Sequence, residues 1–276
     1  MSITGKYWDR PWSLVNGCTP CSPGCDHCWS MAMGKRFHRW PDIITPRRDR
    51  LNIPLKVKKP TVWAIWNDLC HKNVPTEFIW DTFKVMGGAW HHTYLILTKR
   101  AERLKAIHEI NPLLRQEGRS PMGKIWDHVW IGVTVCNQAE ADEKIPLLLQ
   151  TPAALRWISI EPMLGPVDLS NICVTVAPGD VKSFADLDAV VLGGETGPGA
   201  RPMQPDWVRT VRDQCHFAGM PFFFKGWGKH MPPGDAVLGR ELKSPLEVFL
   251  ADDRRLLDGC EHNDLPWRLP SPETSA

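Results

Sequence analysis

The sequence predicts an α/β fold, a full or partial barrel of six to seven parallel strands with helices between them. Three observations predict it. Short, strongly apolar runs rich in β-formers recur along the chain, helical spacing fills several of the intervals, and each run ends in polar residues. Runs without polar alternation suit strands buried on both faces of a parallel sheet. Strands alternating with helices suit a parallel α/β architecture, and an open doubly wound sheet is the alternative that the same alternation permits.

Taken in order, a first strand is expected near Trp12–Val15, followed by Val62–Trp66, Thr93–Thr98, Val129–Val135, Leu155–Ile160, Ala189–Leu192 and Pro221–Phe224. Pro75–Met86 opens on Pro and Thr and repeats apolar residues at Phe78, Ile79 and Phe83, which reads as a helix. Lys99–Ile110 carries Leu104, Ile107 and His108 on one side, and Pro205–Phe217 stops just before Gly219, a residue suited to a C-terminal cap. A last helix is expected over Leu246–Leu257 and a tail over Pro266–Ala276. The core is therefore placed at residues 1–228 and a C-terminal extension at 229–276.

Composition excludes several classes. Hydrophobic residues at 43% and charged residues at 23% describe a folded globular chain, and a net charge of +2 gives no global attraction to nucleic acid or membrane. No run approaches 18 apolar residues, so no membrane partner is expected. The start, MSITGKYWDRPW, lacks an apolar leader core, which points to the cytoplasm. Fourteen Trp are scattered from Trp8 to Trp267 and read as packing residues rather than one stacking platform.

Nine cysteines in a reducing compartment should be thiols. Cys70, Cys136, Cys173, Cys215 and Cys260 are dispersed and read as buried small hydrophobes. The other four, Cys18, Cys21, Cys25 and Cys28, fall within eleven residues, in a segment broken by Gly17, Pro20, Pro23 and Gly24. That is a tight loop, running over 17–29, able to turn several thiolates toward one centre. Structural zinc sites usually tie two cysteine pairs across a longer insert, whereas dense cysteine runs are found around iron–sulfur clusters.

The strands end in Asn67-Asp68, Thr98-Lys99, Thr134, Glu161, Glu195 and Lys225. In a parallel barrel these ends share one face, where active sites sit, and the cysteine loop follows the first strand onto that face. Lys99, Glu161, Glu195 and Lys225 are thus the candidate catalytic groups. Residues 35–60 add nine Lys or Arg interleaved with Phe37 and Trp40, a pattern that suits either a phosphate backbone or a solvated connection.

The spacing Cys21-x3-Cys25-x2-Cys28 resembles the cluster motif of the radical SAM superfamily. More specifically, the chain resembles the phage-associated three-cysteine-motif family of that superfamily, distant kin of spore photoproduct lyase. The resemblance rests on Gly17-Cys18-Thr19 with Ser22–Cys28, Trp130–Thr134 with Asn137-Gln138, Ile158–Pro162 with Leu164-Gly165-Pro166, Gly193–Pro202, and Phe222–Lys225 with Trp227-Gly228. It implies a radical-SAM-type barrel in which three thiolates hold a 4Fe-4S cluster. S-adenosylmethionine chelates the open iron, and one electron from an external donor, flavodoxin-like or chemical, releases a 5′-deoxyadenosyl radical that abstracts hydrogen from substrate. Cys25 and Cys28 are ligands under either pattern. The superfamily spacing adds Cys21 and the narrower family's spacing adds Cys18, with the balance toward Cys18.

His27, Thr134, Ser159, Gly193, Gly194 and Arg201 are the candidate cofactor contacts. Gly193-Gly194-Glu195 resembles the superfamily's turn for the cofactor's amino group, although here it follows a late strand; a plain tight turn with Arg201 in solvent is the alternative. Kinship to a DNA-repair lyase implies a nucleic-acid base or nucleotide as substrate, and isomerisation in phage thymine hypermodification is one such activity. A base in duplex DNA would have to be flipped out to react. A non-enzymatic zinc or iron–sulfur protein that binds nucleic acid is the alternative from another class.

Overall fold

The computed structural model describes residues 6–36, 42–104, 107, 126–239 and 254–267. Its centre is a seven-stranded sheet: β1 (Arg10–Ser13), β2 (Val62–Trp66), β3 (Thr93–Thr98), β4 (Val129–Thr134), β5 (Leu155–Ile160), β6 (Ala189–Gly193) and β7 (Phe222–Gly226). Spatial order follows chain order and every neighbouring pair is parallel. The sheet curls into a half-barrel, with β1 and β7 as its two edges. This is the partial form of the expected barrel rather than the doubly wound sheet, because no strand reverses the order of addition.

From β2 to β7 both faces are largely buried, which is why these strands read as apolar runs, whereas β1 exposes Arg10 and Pro11. Outward residues such as Trp63, Ile96, Ile131, Ile158, Leu192 and Phe224 pack on helices α2 (Thr76–Gly88), α3 (Gln138–Gln150) and α4 (Pro205–Phe217). Inward residues Val62, Leu95, Trp130, Trp157, Val191 and Phe223 form a second cluster with Tyr7, Leu265 and Trp267. Gly132 makes room for it, because a Cβ there would stand 2.6 Å from the Trp157 indole.

The half-barrel closes with residues from the two ends of the chain. Residues 262–264 run along β7, bonding through Phe224 N–H to His262 O at 2.9 Å. Trp267 then enters the hollow and donates its indole N–H to Tyr7 O at 2.9 Å. The backbone bonds cover the open edge of β7, and burying both rings fills the lumen. The tail expected from Pro266 onward therefore contains a core residue. Truncating a buried indole costs about 3–5 kcal/mol, so Trp267 anchors the C-terminal segment to the core.

Four details differ from the sequence reading. Residues 138–150 form α3, capped by the Asn137 side chain accepting from Glu140 N–H at 3.0 Å. After β3 the described chain makes a 3-10 turn, Ala101–Leu104, and of the rest of the expected 99–110 helix only Ile107 lies within the described residues. Leu256–Leu257 pairs with Cys260–Glu261 as a short hairpin instead of ending a helix, and residues 246–253 lie outside the described residues. A further hairpin, Cys173–Ala177 with Asp180–Ser183, is inserted between β5 and β6. Among the described residues no helix is long and apolar enough to cross a membrane.

Candidate functional site

The cysteine loop leaves β1 through Val15-Asn16, which pair with Thr45-Pro46, and turns at Gly17, whose φ of 78° favours glycine. Ser22 then caps a 3-10 turn over Pro23–Cys25, accepting from Gly24 N–H at 3.2 Å. Gly24 lies directly on the strand ends: a Cβ there would stand 2.4 Å from Cys136 Sγ and 3.0 Å from Pro162 Cδ. Only a glycine lets the loop settle this deeply. As a result Cys18, Cys21, Cys25 and Cys28 all line one cavity of about 410 Å³ at the C-terminal mouth of the half-barrel.

Two arginine–carboxylate pairs hold the loop at its ends. Arg100, just past β3, is buried and pairs with buried Asp68 at 2.7 Å. The same guanidinium donates to Thr19 O at 2.6 Å, to Thr19 Oγ1 at 3.0 Å and to Cys18 Sγ at 3.8 Å. At the other end Arg201 grips Glu195 through two nitrogens at 2.7 and 2.9 Å and reaches Pro23 O at 2.8 Å and Asp26 Oδ2 at 3.1 Å. His27 Nδ1 stands 3.2 Å from Glu195 Oε2. Burial pushes the Glu195 carboxyl pKa up, but the Arg201 guanidinium and backbone N–H, with His27, outweigh it and hold it at about 2.

The thiols are not equivalent. The neighbouring Cys21 side chain, with backbone N–H groups and the Lys99 ammonium, outweighs burial at Cys25 and brings its thiol down to about 5. The Cys25 side chain, with burial, pushes the Cys21 thiol well up. Burial also raises Cys136, to about 11. Among the described residues no three His, Cys, Asp or Glu side chains form a ready shell around a single metal ion. The donor set itself fits an iron–sulfur group in kind: several thiols face one cavity, one is already disposed to ionise, and a cation stands beside them.

A second cavity of about 420 Å³ adjoins the first, with Tyr7, Cys28, Leu97, Lys99, Thr134 and Lys225 in the walls of both. Its centre is Glu161, whose carboxylate takes the Lys225 ammonium at 2.6 Å and the Ser159 hydroxyl at 3.1 Å. The Tyr7 phenol faces the same carboxylate; burial, then the nearby negative charge, pushes its pKa far up. Gly193 and Gly194 leave the space that this wall needs, since a Cβ on Gly193 would meet Glu161 Oε1 at 3.0 Å and one on Gly194 would meet Trp227 O at 2.2 Å.

The strand-end residues expected to share a face do so. Asn67, Asp68, Lys99 and Thr134 line the first cavity, and His27, Ser159, Glu161, Gly193, Gly194, Glu195 and Lys225 the second. Arg201 lines neither; it stands behind Glu195 and fastens the loop, not free in solvent. Three contributors escape the sequence reading, Tyr7, Arg100 and Cys136, and Asp68 reads there as a strand-end residue but not as the partner of Arg100. Asp68 and Arg100 do flank strand ends, and Tyr7 is one of only two tyrosines, but nothing in sequence joins them. Cys136, read as an idle hydrophobe, packs under Gly24, while Cys173 and Cys260 are exposed rather than buried. The basic stretch is partly neutralised, as Arg47 pairs with Asp49 at 2.7 Å and Arg48 with Asp81 at 2.8 Å; Phe37 and Trp40 lie outside the described residues.

No curated protein and no solved structure matches the chain. A family described as "Protein of unknown function (DUF5131)" matches residues 3–266, and by that near-complete match the chain belongs to this family.

Proposed function

We propose that the chain is a radical S-adenosylmethionine enzyme acting on a nucleotide or nucleic-acid base. One observation carries the reading: four cysteines from an eleven-residue loop line a single cavity over the C-terminal ends of seven parallel strands. A loop so dense in thiols is an unusual investment for a binding module, and a face of strand-end carboxylates and ammonium groups beside it is what a reaction site needs.

In this reading Cys18, Cys25 and Cys28 hold a 4Fe-4S cluster, and Cys21 stands beside them without being a ligand. When bound, the cluster and S-adenosylmethionine supply one-electron chemistry and a hydrogen-abstracting radical, driven by an external electron donor. The protein's own residues do the rest. Lys99 offsets thiolate charge at the junction of the two cavities. Glu161 and Lys225 present an acceptor and a cation to polar groups of cofactor or substrate, and Ser159 fixes the carboxylate. Tyr7 and Trp157 close the floor and keep water out of the hollow. Glu195 and Arg201 hold the loop in place.

Anaerobic reconstitution, then reduction with S-adenosylmethionine present, tests the proposal by chromatography of 5′-deoxyadenosine. Cluster-dependent release supports it. A colourless protein holding one zinc and releasing none overturns it in favour of a nucleic-acid-binding protein.

A further inference from the structure

We infer that Arg100, held in place by Asp68, is the positioning residue that presents Cys18 as the third cluster thiolate and favours the reduced state of the cluster. This rests on the reading above and adds to it a named residue and a measurable property.

Arg100 has less than a tenth of its side chain exposed, and so has Asp68. Asp68 is itself fixed, accepting the Thr98 hydroxyl at 2.7 Å and the Cys70 N–H at 3.0 Å. The guanidinium therefore has one orientation, and it spends its remaining donors on one short piece of chain: Thr19 O, Thr19 Oγ1 and Cys18 Sγ. Thr19 Oγ1 also meets His71 Nε2 at 2.9 Å, so the turn between Cys18 and Cys21 is pinned from two sides. Cys18 thus receives the guanidinium of a buried Arg100–Asp68 ion pair.

A buried cation that donates to a ligand sulfur stabilises added negative charge. The reduced cluster carries one more electron, so Arg100 should raise its reduction potential. Outer-shell partners of this kind change metal affinity about 10–100-fold.

The test uses the reconstituted full chain as wild type, Arg100→Gln, Arg100→Lys, Cys18→Ala, Cys21→Ala and the double variant Asp68→Asn/Arg100→Gln. The double variant leaves no uncompensated buried carboxylate, so it keeps the question open if Arg100→Gln alone does not fold. Iron per chain, the rate of iron loss to a chelator and the midpoint potential by anaerobic titration are read for each. Cys18→Ala should lose the cluster while Cys21→Ala keeps its iron. Arg100→Gln and the double variant should lose iron about tenfold faster. The midpoint of Arg100→Gln should also fall, by about 59 mV for a tenfold loss of preference for the reduced form, and that of the double variant by less, because it also loses the Asp68 charge. Arg100→Lys, which keeps the charge but not the fork, should recover the potential more than the iron retention. Wild-type midpoint and retention in both glutamine variants would overturn the inference while leaving the enzyme reading intact, as would iron lost from Cys21→Ala and kept by Cys18→Ala. Failure of the wild type to bind any iron would sink both.

Discussion

The two cavities share a wall and differ in everything else. The first is a sulfur lobe: four thiols share its walls with Trp8, Trp66, Ile65 and Leu95, and besides the shared Lys99 and Lys225 its charged groups are Arg100 and Asp68, paired with each other. The second is a carboxylate lobe, with Glu161 and Glu195 among glycines and hydroxyls. Glu161 faces its lobe with Lys225, whereas Glu195 is turned to Arg201 and the loop. The lesson is that two carboxylates at equivalent strand ends have different uses. One is left within reach of a ligand and the other is consumed in fastening the thiol loop above it.

That division is broken most severely at the thiols. Cys25→Ala removes the sulfur with the lowered pKa and, under the proposed function, a ligand common to both motif readings, so that reading expects complete loss of cluster absorbance and iron after reconstitution. The carboxylate lobe should survive, so the apo protein should keep its thermal unfolding midpoint within a few degrees. An unfolded Cys25→Ala chain would show that the lobes are not separable. Glu161→Gln is the complementary cut. It leaves Lys225 without its carboxylate while touching no sulfur. Release of 5′-deoxyadenosine should fall about 100-fold, the lower end of what a proton-handling or orienting carboxylate contributes, with iron content unchanged. Equal loss of iron and activity would place Glu161 in the support of the sulfur lobe instead.

Much of this frame was legible in the sequence because apolar runs need no alternation to mark a strand buried on both faces. Six of the seven strands and the face that gathers their ends follow from that pattern; β1, expected over Trp12–Val15, lies at Arg10–Ser13, where Arg10 and Pro11 are exposed and no apolar run marks it. Helix α3 was not legible: Pro146 lies inside it, and Glu140 and Lys144 form a buried ion pair at 2.7 Å where apolar residues would have marked the inner face. Trp267 was hidden by its context, a Pro- and Ser-rich end that reads as a tail although the indole fills the lumen. In the site, the four loop cysteines were visible because they are local. Asp68 with Arg100, and Tyr7 with Glu161, are partners 32 and 154 residues apart that meet only because parallel strands bring their ends together. The sequence showed Glu195 and Arg201 as chemistry; only their geometry shows them as a fastener.

The fastener gives smaller effects. Arg201→Ala strands Glu195, which is 5% exposed, beside its lost partner. A fully buried pair cut this way costs about 3–5 kcal/mol. Arg201 is 34% exposed, and solvent screening brings the expectation down to about 2 kcal/mol. Thermal unfolding of the apo protein measures it, and a change below half of that would mean that the loop is held from the Arg100 end alone.

The subtlest expectation is a pH dependence. Glu195 has its carboxyl held at about 2 against an ordinary 4.5, so the folded chain keeps it ionised where the unfolded chain protonates it. Its contribution is full above about pH 4.5 and is lost as the pH falls toward 2. Glu195→Gln keeps the shape and removes the titration. The unfolding midpoint of the wild type should therefore drop more steeply between these limits than that of the variant, and the two curves should run parallel above pH 5, where the group is ionised in both states. Parallel curves throughout would show that Arg201 and His27 do not lower this carboxyl, and the contrast between a fastening carboxylate and one that faces a cavity would then rest on Glu161 alone.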